Sequence, residues 1–142
     1  MADDPLRVFV DTNILVYAHD VSAGAKHERS QDLTKELWSS RRGCVSVQVL
    51  QELFVTLTRK VEKPVEPDEA RAIVSDLSTW DVCVPDANDV LAAISLHRRF
   101  LLSFWDAMIL HCAAKIGCDI LYSEDLGHDQ AYDGVQVLDP FT

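Results

Sequence analysis

Val8-Phe9-Val10-Asp11-Thr12-Asn13 is the stretch on which the reading of this chain turns. Its β-branched and aromatic residues suit a covered, pleated strand, which the pattern places from Arg7 to Val10. Asp11 then stands at the carboxyl end of that strand. In open α/β sheets this edge is where ligands bind. The layout recurs at Ile120-Leu121-Tyr122-Ser123-Glu124-Asp125. Two strands that end in acids point to one acidic pocket.

Outward from these two segments, strand and helix signals alternate. Asn13 to His19 reads as a short helix and Val21 to Lys26 as a loop. His27 to Ser40 reads as an amphipathic helix with Leu33, Leu37 and Trp38 inward. Cys44-Val45 is a brief strand, and Ser46 is a suitable N-cap for a helix running to about Val61. Leu50, Phe54, Leu57 and Val61 share one stripe of that helix. Pro64 and Pro67 break the chain, and Pro67-Asp68-Glu69 opens another helix, with acids in the turn where the helix dipole favours them. Asp81 to Val84 is a strand, and Pro85-Asp86 leads into a helix over Ala87 to Phe100. Ser103 caps a helix from Phe104 to Ile116, whose small residues Ala107, Ala113 and Ala114 allow close packing, and Gly117 ends it. Ile120 to Tyr122 is a strand, Ser123 to Gly134 a polar loop, and Val135 to Leu138 the last strand. Such alternation predicts an α/β sandwich with a mainly parallel sheet.

The length, 142 residues, suits one domain with a sizeable core. Apolar residues make up 48%, but no apolar run approaches the ~20 residues that span a bilayer. The start Met1-Ala2-Asp3-Asp4-Pro5 lacks the basic and apolar regions of a signal peptide. Cys44, Cys83, Cys112 and Cys118 form no C-x-x-C pair, so they read as buried thiols in a reducing cytoplasm. Net charge is 13 minus 23, or −10, which by itself argues against nucleic acid. Cations held by several acids would reverse that local sign. The basic doublets Arg41-Arg42, Arg59-Lys60 and Arg98-Arg99 read as solvated helix ends.

Four acids stand out. Asp11 and Asp125 follow strands. Asp106 lies in the first turn of its helix, and parallel topology brings helix starts close to strand carboxyl ends. Glu52 lies about 200° from Leu50 at 100° per residue, which leaves it facing either solvent or a water-filled cleft. Mg²⁺ and Mn²⁺ favour carboxylate oxygens and water. Carboxylates gathered around one pocket repel one another until cations bind. Asn13 and Ser123 can add neutral donors beside the acids. None of His19, His27, His97, His111 and His128 forms an H-x-x-x-H zinc pair. His111 reads as packing on its helix, and His128 is the histidine nearest the acidic loop. Glu124 and Asp129 read as outer or solvent groups, and Trp105 as core rather than as a platform for a base.

In order and flanking residues, Val10-Asp11-Thr12-Asn13, Gln51-Glu52-Leu53, Trp105-Asp106-Ala107 and Ser123-Glu124-Asp125-Leu126 resemble the PIN-domain nucleases, above all the VapC toxins of bacterial toxin–antitoxin pairs. The ending Val137-Leu138-Asp139-Pro140-Phe141 resembles their last strand. The resemblance spans nearly the whole chain and implies a single PIN domain over residues 1–142. It implies a three-layer α/β/α sandwich around a mainly parallel, five-stranded sheet. It also implies a cytoplasmic Mg²⁺- or Mn²⁺-dependent endoribonuclease. Asp11, Glu52, Asp106 and Asp125 would be its catalytic and metal-holding acids, with Asn13 and Ser123 in support. RNA would be the substrate, and a homodimer and a small antitoxin the partners. Two rivals stand beside this reading. One is a non-catalytic PIN-like subunit whose acids grip a basic partner. The other is a metal-dependent phosphatase using Asp11 as nucleophile. Haloacid-dehalogenase-like chemistry wants a second aspartate two residues on, where this chain has Asn13.

Overall fold

The computed structural model describes residues 6–142; the acidic start at Met1–Pro5 lies outside the described residues. Strand β1 is Val8–Val10, followed by helix α1 over Thr12–Ala18 and a 3-10 turn at Val21–Ala23. Helix α2 is Ala25–Ser40, β2 is Gly43–Ser46, α3 is Val47–Arg59 and α4 is Pro67–Leu77. Strand β3 is Asp81–Cys83, α5 is Ala87–Phe100, α6 is Phe104–Lys115 and β4 is Ile120–Tyr122. Strands β5, Gln130–Tyr132, and β6, Val135–Leu138, complete the order. No helix among the described residues is long and apolar enough to cross a membrane.

The six strands form one sheet in the order β3-β2-β1-β4-β6-β5. All pairs are parallel except β5 with β6. The five strands read from the sequence are therefore present. The sixth, β5, lies within the segment read as a polar loop. It is short, largely exposed and antiparallel at the sheet's edge, so it carries no continuous apolar signal. Every residue of β1 and β2 is buried, the mark of a parallel sheet covered on both faces. Phe9, Val45, Leu121 and Val137 sit at its centre, with 1% exposure or less.

Sequence signals explain most element boundaries. Ser46, Asp86 and Ser103 each accept a backbone N–H at a helix start, and Asp86 with Asp89 closes a reciprocal capping box. Pro67 opens α4 where its missing N–H costs nothing. Gly43 is required for packing, since a Cβ there would come within 2.6 Å of the Trp80 ring. All four cysteines are free and buried.

Three side-chain assignments differ from the sequence reading. The core stripe of α3 is Val49, Leu53 and Leu57, all fully buried, while Phe54 is 37% exposed. Both stripes are apolar at helical spacing, and periodicity does not say which faces the sheet. Trp38 is 42% exposed and packs edge-to-face on Trp80 rather than entering the core. Trp105 is also outside the core, 63% exposed. Its neighbours Ala107 to Leu110 supply the buried face of α6.

Candidate active site

The strand order places the site. From β1 the chain moves outward through β2 to β3, then returns to β4 on the other side of β1. Connections therefore diverge on either side of β1, and a crevice opens at the carboxyl ends of β1 and β4. Val10 pairs with Tyr122, and the Asp11 N–H donates to the Tyr122 carbonyl at 3.0 Å. That ladder fixes Asp11 beside Ser123 and the turn carrying Asp125.

Each acid is held differently. Asp11 is 6% exposed. One carboxylate oxygen accepts the Thr12 N–H at 2.7 Å, capping α1. The other accepts the Ser123 hydroxyl at 2.8 Å. Ser123 Oγ in turn accepts the Asp125 N–H at 3.1 Å, tying the β4 turn to β1. Asn13 Nδ2 donates to Asp125 Oδ2 at 3.0 Å. Thr12 Oγ1 donates to Glu52 Oε1 at 3.0 Å, and Gln48 Nε2 reaches the same oxygen at 3.3 Å. The Asp106 N–H donates to Ser103 Oγ at 3.1 Å, which fixes Asp106 in the first turn of α6.

Together these acids line a cleft of about 430 Å³. Asp11, Glu52, Asp106, Asp125 and Asn13 all face it, and Ser123 stands behind Asp11. The Glu52 ambiguity thus resolves towards the cleft. Measured from the true stripe of Val49, Leu53 and Leu57, Glu52 lies about 100° round the helix, on the flank between core and solvent.

The electrostatics match a predominantly acidic pocket. Burial pushes the Asp11 carboxyl up to about 7, with the charges of Asp125 and Asp106 adding to it. Hydrogen bonds from Ser123 and Thr12 oppose the rise. Burial also raises the Asp106 carboxyl, against the Ser103 hydrogen bond and with help from Asp125. Among the described residues no three His, Cys, Asp or Glu side chains converge as a ready-made metal cage. Several oxygens of the cleft-lining residues nevertheless have no hydrogen-bond donor among the described residues. Asn13 Oδ1 is buried and unpartnered. Glu52 Oε2 and Asp125 Oδ1 accept nothing from the described residues, since only their companion oxygens are engaged.

Residues near the site but outside this set have structural partners. Glu124 is not among the cleft-lining residues and accepts hydrogen bonds from Tyr17 and, at 2.8 Å, from Lys26. Burial alone would raise its carboxyl; these two bonds outweigh burial and hold it below its ordinary range. His128 Nδ1 accepts the Asp139 N–H, and Asp129 accepts from Gln136. His111 does not merely pack on α6: it bonds Asp89 of α5 at 2.8 Å. Two polar residues that the sequence reading passed over touch the site, Thr12 and Gln48. Thr12 follows Asp11 directly, and Gln48 precedes Glu52 by one helical turn, which were the signals available for both.

With this geometry in place, comparison with known proteins gives the class. A family model for the PIN domain matches residues 8–134. The chain belongs to the PIN-domain family, the nuclease family its motifs resemble. Similar solved structures include the toxin VapC20 of Mycobacterium tuberculosis, described as cleaving the sarcin-ricin loop. It shares 26% identity over 83% of this chain and 89% of its own, with a TM-score of 0.64. A toxin–antitoxin complex from Klebsiella pneumoniae matches at 18% identity over 94% and 97%, with a TM-score of 0.68. DNA-bound VapBC from Salmonella typhimurium matches at 19% over 96% and 99%, with a TM-score of 0.67. No curated protein sequence matches the chain.

Proposed function

We propose that the chain is a Mg²⁺- or Mn²⁺-dependent endoribonuclease, the toxin of a VapBC-like pair, acting in the cytoplasm as one PIN domain over residues 1–142. The observation that carries the reading is the meeting of Asp11, Glu52, Asp106 and Asp125 in one cleft at the sheet's switch point. The toxin–antitoxin neighbours support a small antitoxin as partner, and a homodimeric toxin is what the family resemblance implies.

The donor set fits a hard divalent cation. Its oxygens are carboxylates and one amide, and Asn13 Oδ1 is buried without a donor of its own. Mg²⁺ commonly takes only one or two carboxylates and keeps several waters, so a dense cage of protein ligands is not required. Asp11, Asp106 and Asp125 would hold the ion, and Glu52 would hold it or its water. When bound, it supplies a water of lowered pKa and offsets the charge of the phosphate.

The chain's own residues provide position. Ser123 and the Thr12 N–H fix both oxygens of Asp11, so its orientation is set before anything binds. Thr12 holds Glu52 Oε1 and leaves Oε2 without a donor among the described residues, so that it would be free to hold the ion or its water. Asn13 does the same for Asp125. Hydrolysis would add a water to phosphorus in line as one backbone P–O bond breaks, the water's proton passing to a cleft carboxylate and the leaving oxygen taking one from solvent. Asn13 stands where a phosphoaspartate enzyme would need a second acid, and its amide is engaged with Asp125. The test is cleavage of RNA with Mg²⁺ or Mn²⁺ by the wild type and by Asp11→Asn. Equal cleavage by both removes Asp11 from the mechanism. No divalent-metal binding by calorimetry favours the non-catalytic subunit instead.

A further inference from the structure

The cleft has a direction that the four acids leave unexplained. Along α3 and its C-cap, Gln48, Glu52, Thr56 and Lys60 recur every four residues, and all four line it. At 1.5 Å per residue this row is about 18 Å long, a span of a few nucleotides. Its two ends differ in chemistry. At the Gln48 end stands Trp105, 63% exposed, its ring braced edge-to-face on Phe104 at 5.0 Å and 78°. Gln48 Nε2 reaches the Trp105 carbonyl at 3.5 Å, so the helix that carries Glu52 also touches the platform. At the far end stands Lys60, the one basic residue among those lining the cleft. It forms no ion pair among the described residues. Arg42 and Arg99, of the other two basic doublets, are engaged by Glu36 and Asp133.

We propose that this row is a two-point track for the RNA strand, set by Trp105 and Lys60. Trp105 stacks an unpaired base on one side of the scissile phosphate, and Lys60 ion-pairs with a backbone phosphate on the other. The proposal rests on the nuclease reading and names how that site takes its substrate. A base inside a duplex offers no free face to an indole, whereas an unpaired base stacks on aromatic rings with little regard to its identity. Lysine is a compact point charge on a flexible stem, suited to a phosphate whose exact place varies. Lys60 lines the cleft together with Glu62, so it offers a single phosphate contact and not a basic patch.

The experiment uses the full chain and a short fluorescent RNA with an unpaired centre. Cleavage is followed in Mg²⁺ for the wild type, Trp105→Ala, Trp105→Phe, Lys60→Ala and Lys60→Arg. Binding is followed in the Asp11→Asn background by quenching of tryptophan fluorescence. Trp38 and Trp80 pack on each other and line other clefts, so quenching reports Trp105. Trp105→Ala is expected to raise KM about tenfold or more, the loss of one stacked base, with kcat little changed; Trp105→Phe restores KM. Lys60→Ala is expected to reduce the slope of log affinity against log salt by about 0.7, one phosphate contact to a single strand, and Lys60→Arg restores it. An unchanged KM in Trp105→Ala, or an unchanged salt slope in Lys60→Ala, overturns the two-point track. If the wild type cleaves no RNA, the nuclease reading fails, and the quenching and salt slope still decide the track on their own.

Discussion

Two buried aspartates in this molecule have opposite surroundings. Asp11, at the end of β1, is 6% exposed, and Asp89, in the first turn of α5, is 5% exposed. Burial and neighbouring acids push the Asp11 carboxyl up to about 7. Asp89 is held below its usual range by His111, then by Lys115 at 2.6 Å and by the Asp86 N–H of its own capping box. Low exposure therefore raises a carboxyl only where nothing offsets it: burial dominates at Asp11, whereas His111 and Lys115 outweigh it at Asp89. Asp89 is a finished ionic pin between α5 and α6. Asp11 is satisfied by hydrogen bonds and has no cationic partner among the described residues, as the proposed cation site requires.

The sharpest way to break this contrast is to neutralise each acid in turn. Asp11→Asn should reduce RNA cleavage about a thousandfold or more, the several kcal/mol that a positioned ion supplies. Its melting temperature should hold or rise, because asparagine still caps α1 and a buried, uncompensated charge is gone. A variant that unfolds would place Asp11 with Asp89 as structural.

Cation binding should separate the two regions next. Mg²⁺ or Mn²⁺ at a hundred times its dissociation constant should stabilise the wild type by about 2.7 kcal/mol through linkage, and Asp11→Asn should lose most of that shift. Thermal melts with and without metal give the answer directly. No shift at millimolar metal counts against the site.

Asp89 should control acid stability. Its folded pKa lies below the unfolded value of about 3.9, so its contribution is complete above that value and is lost as pH falls through the folded pKa. Asp89→Asn should lower the melting temperature at neutral pH and flatten the fall in stability below about pH 4. Parallel curves for variant and wild type would deny Asp89 this role.

The smallest effect should come from Thr12→Val. It removes the hydroxyl that holds Glu52 at 3.0 Å and leaves Asp11 with its backbone contact. The expected loss is about 1 kcal/mol of transition-state positioning, roughly five- to tenfold in kcat, with no change in melting temperature beyond about a degree or two. A loss as large as that of Asp11→Asn would show Glu52 to depend wholly on this contact.

How much of this was legible in the chain depended on where the information lay. Ser46, Asp86 and Ser103 could be read as caps because a cap acts on its own next turn. The strands β1, β2, β4 and β6 were legible as apolar runs, and β5 was not, because an exposed edge strand needs no such run. Asp11 and Asp125 could be placed at one edge because strand ends and helix starts meet there in any parallel α/β sheet. Glu52 resisted the same treatment. Val49-Leu53-Leu57 and Leu50-Phe54 are both apolar stripes, and only the packing of α3 on the sheet chose the first. Trp38 and Trp105 went the same way, since a large apolar ring satisfies the core or the rim equally well in a periodic pattern. Local hydrogen bonding and strand hydrophobicity are properties of neighbouring residues, so they are written along the chain. Which face of a helix is covered, and which acids share a cleft, depend on contacts between residues far apart in sequence. Asp11 and Ser123 became partners when β1 and β4 paired, and the pairing of those strands is where the acidic edge became a site.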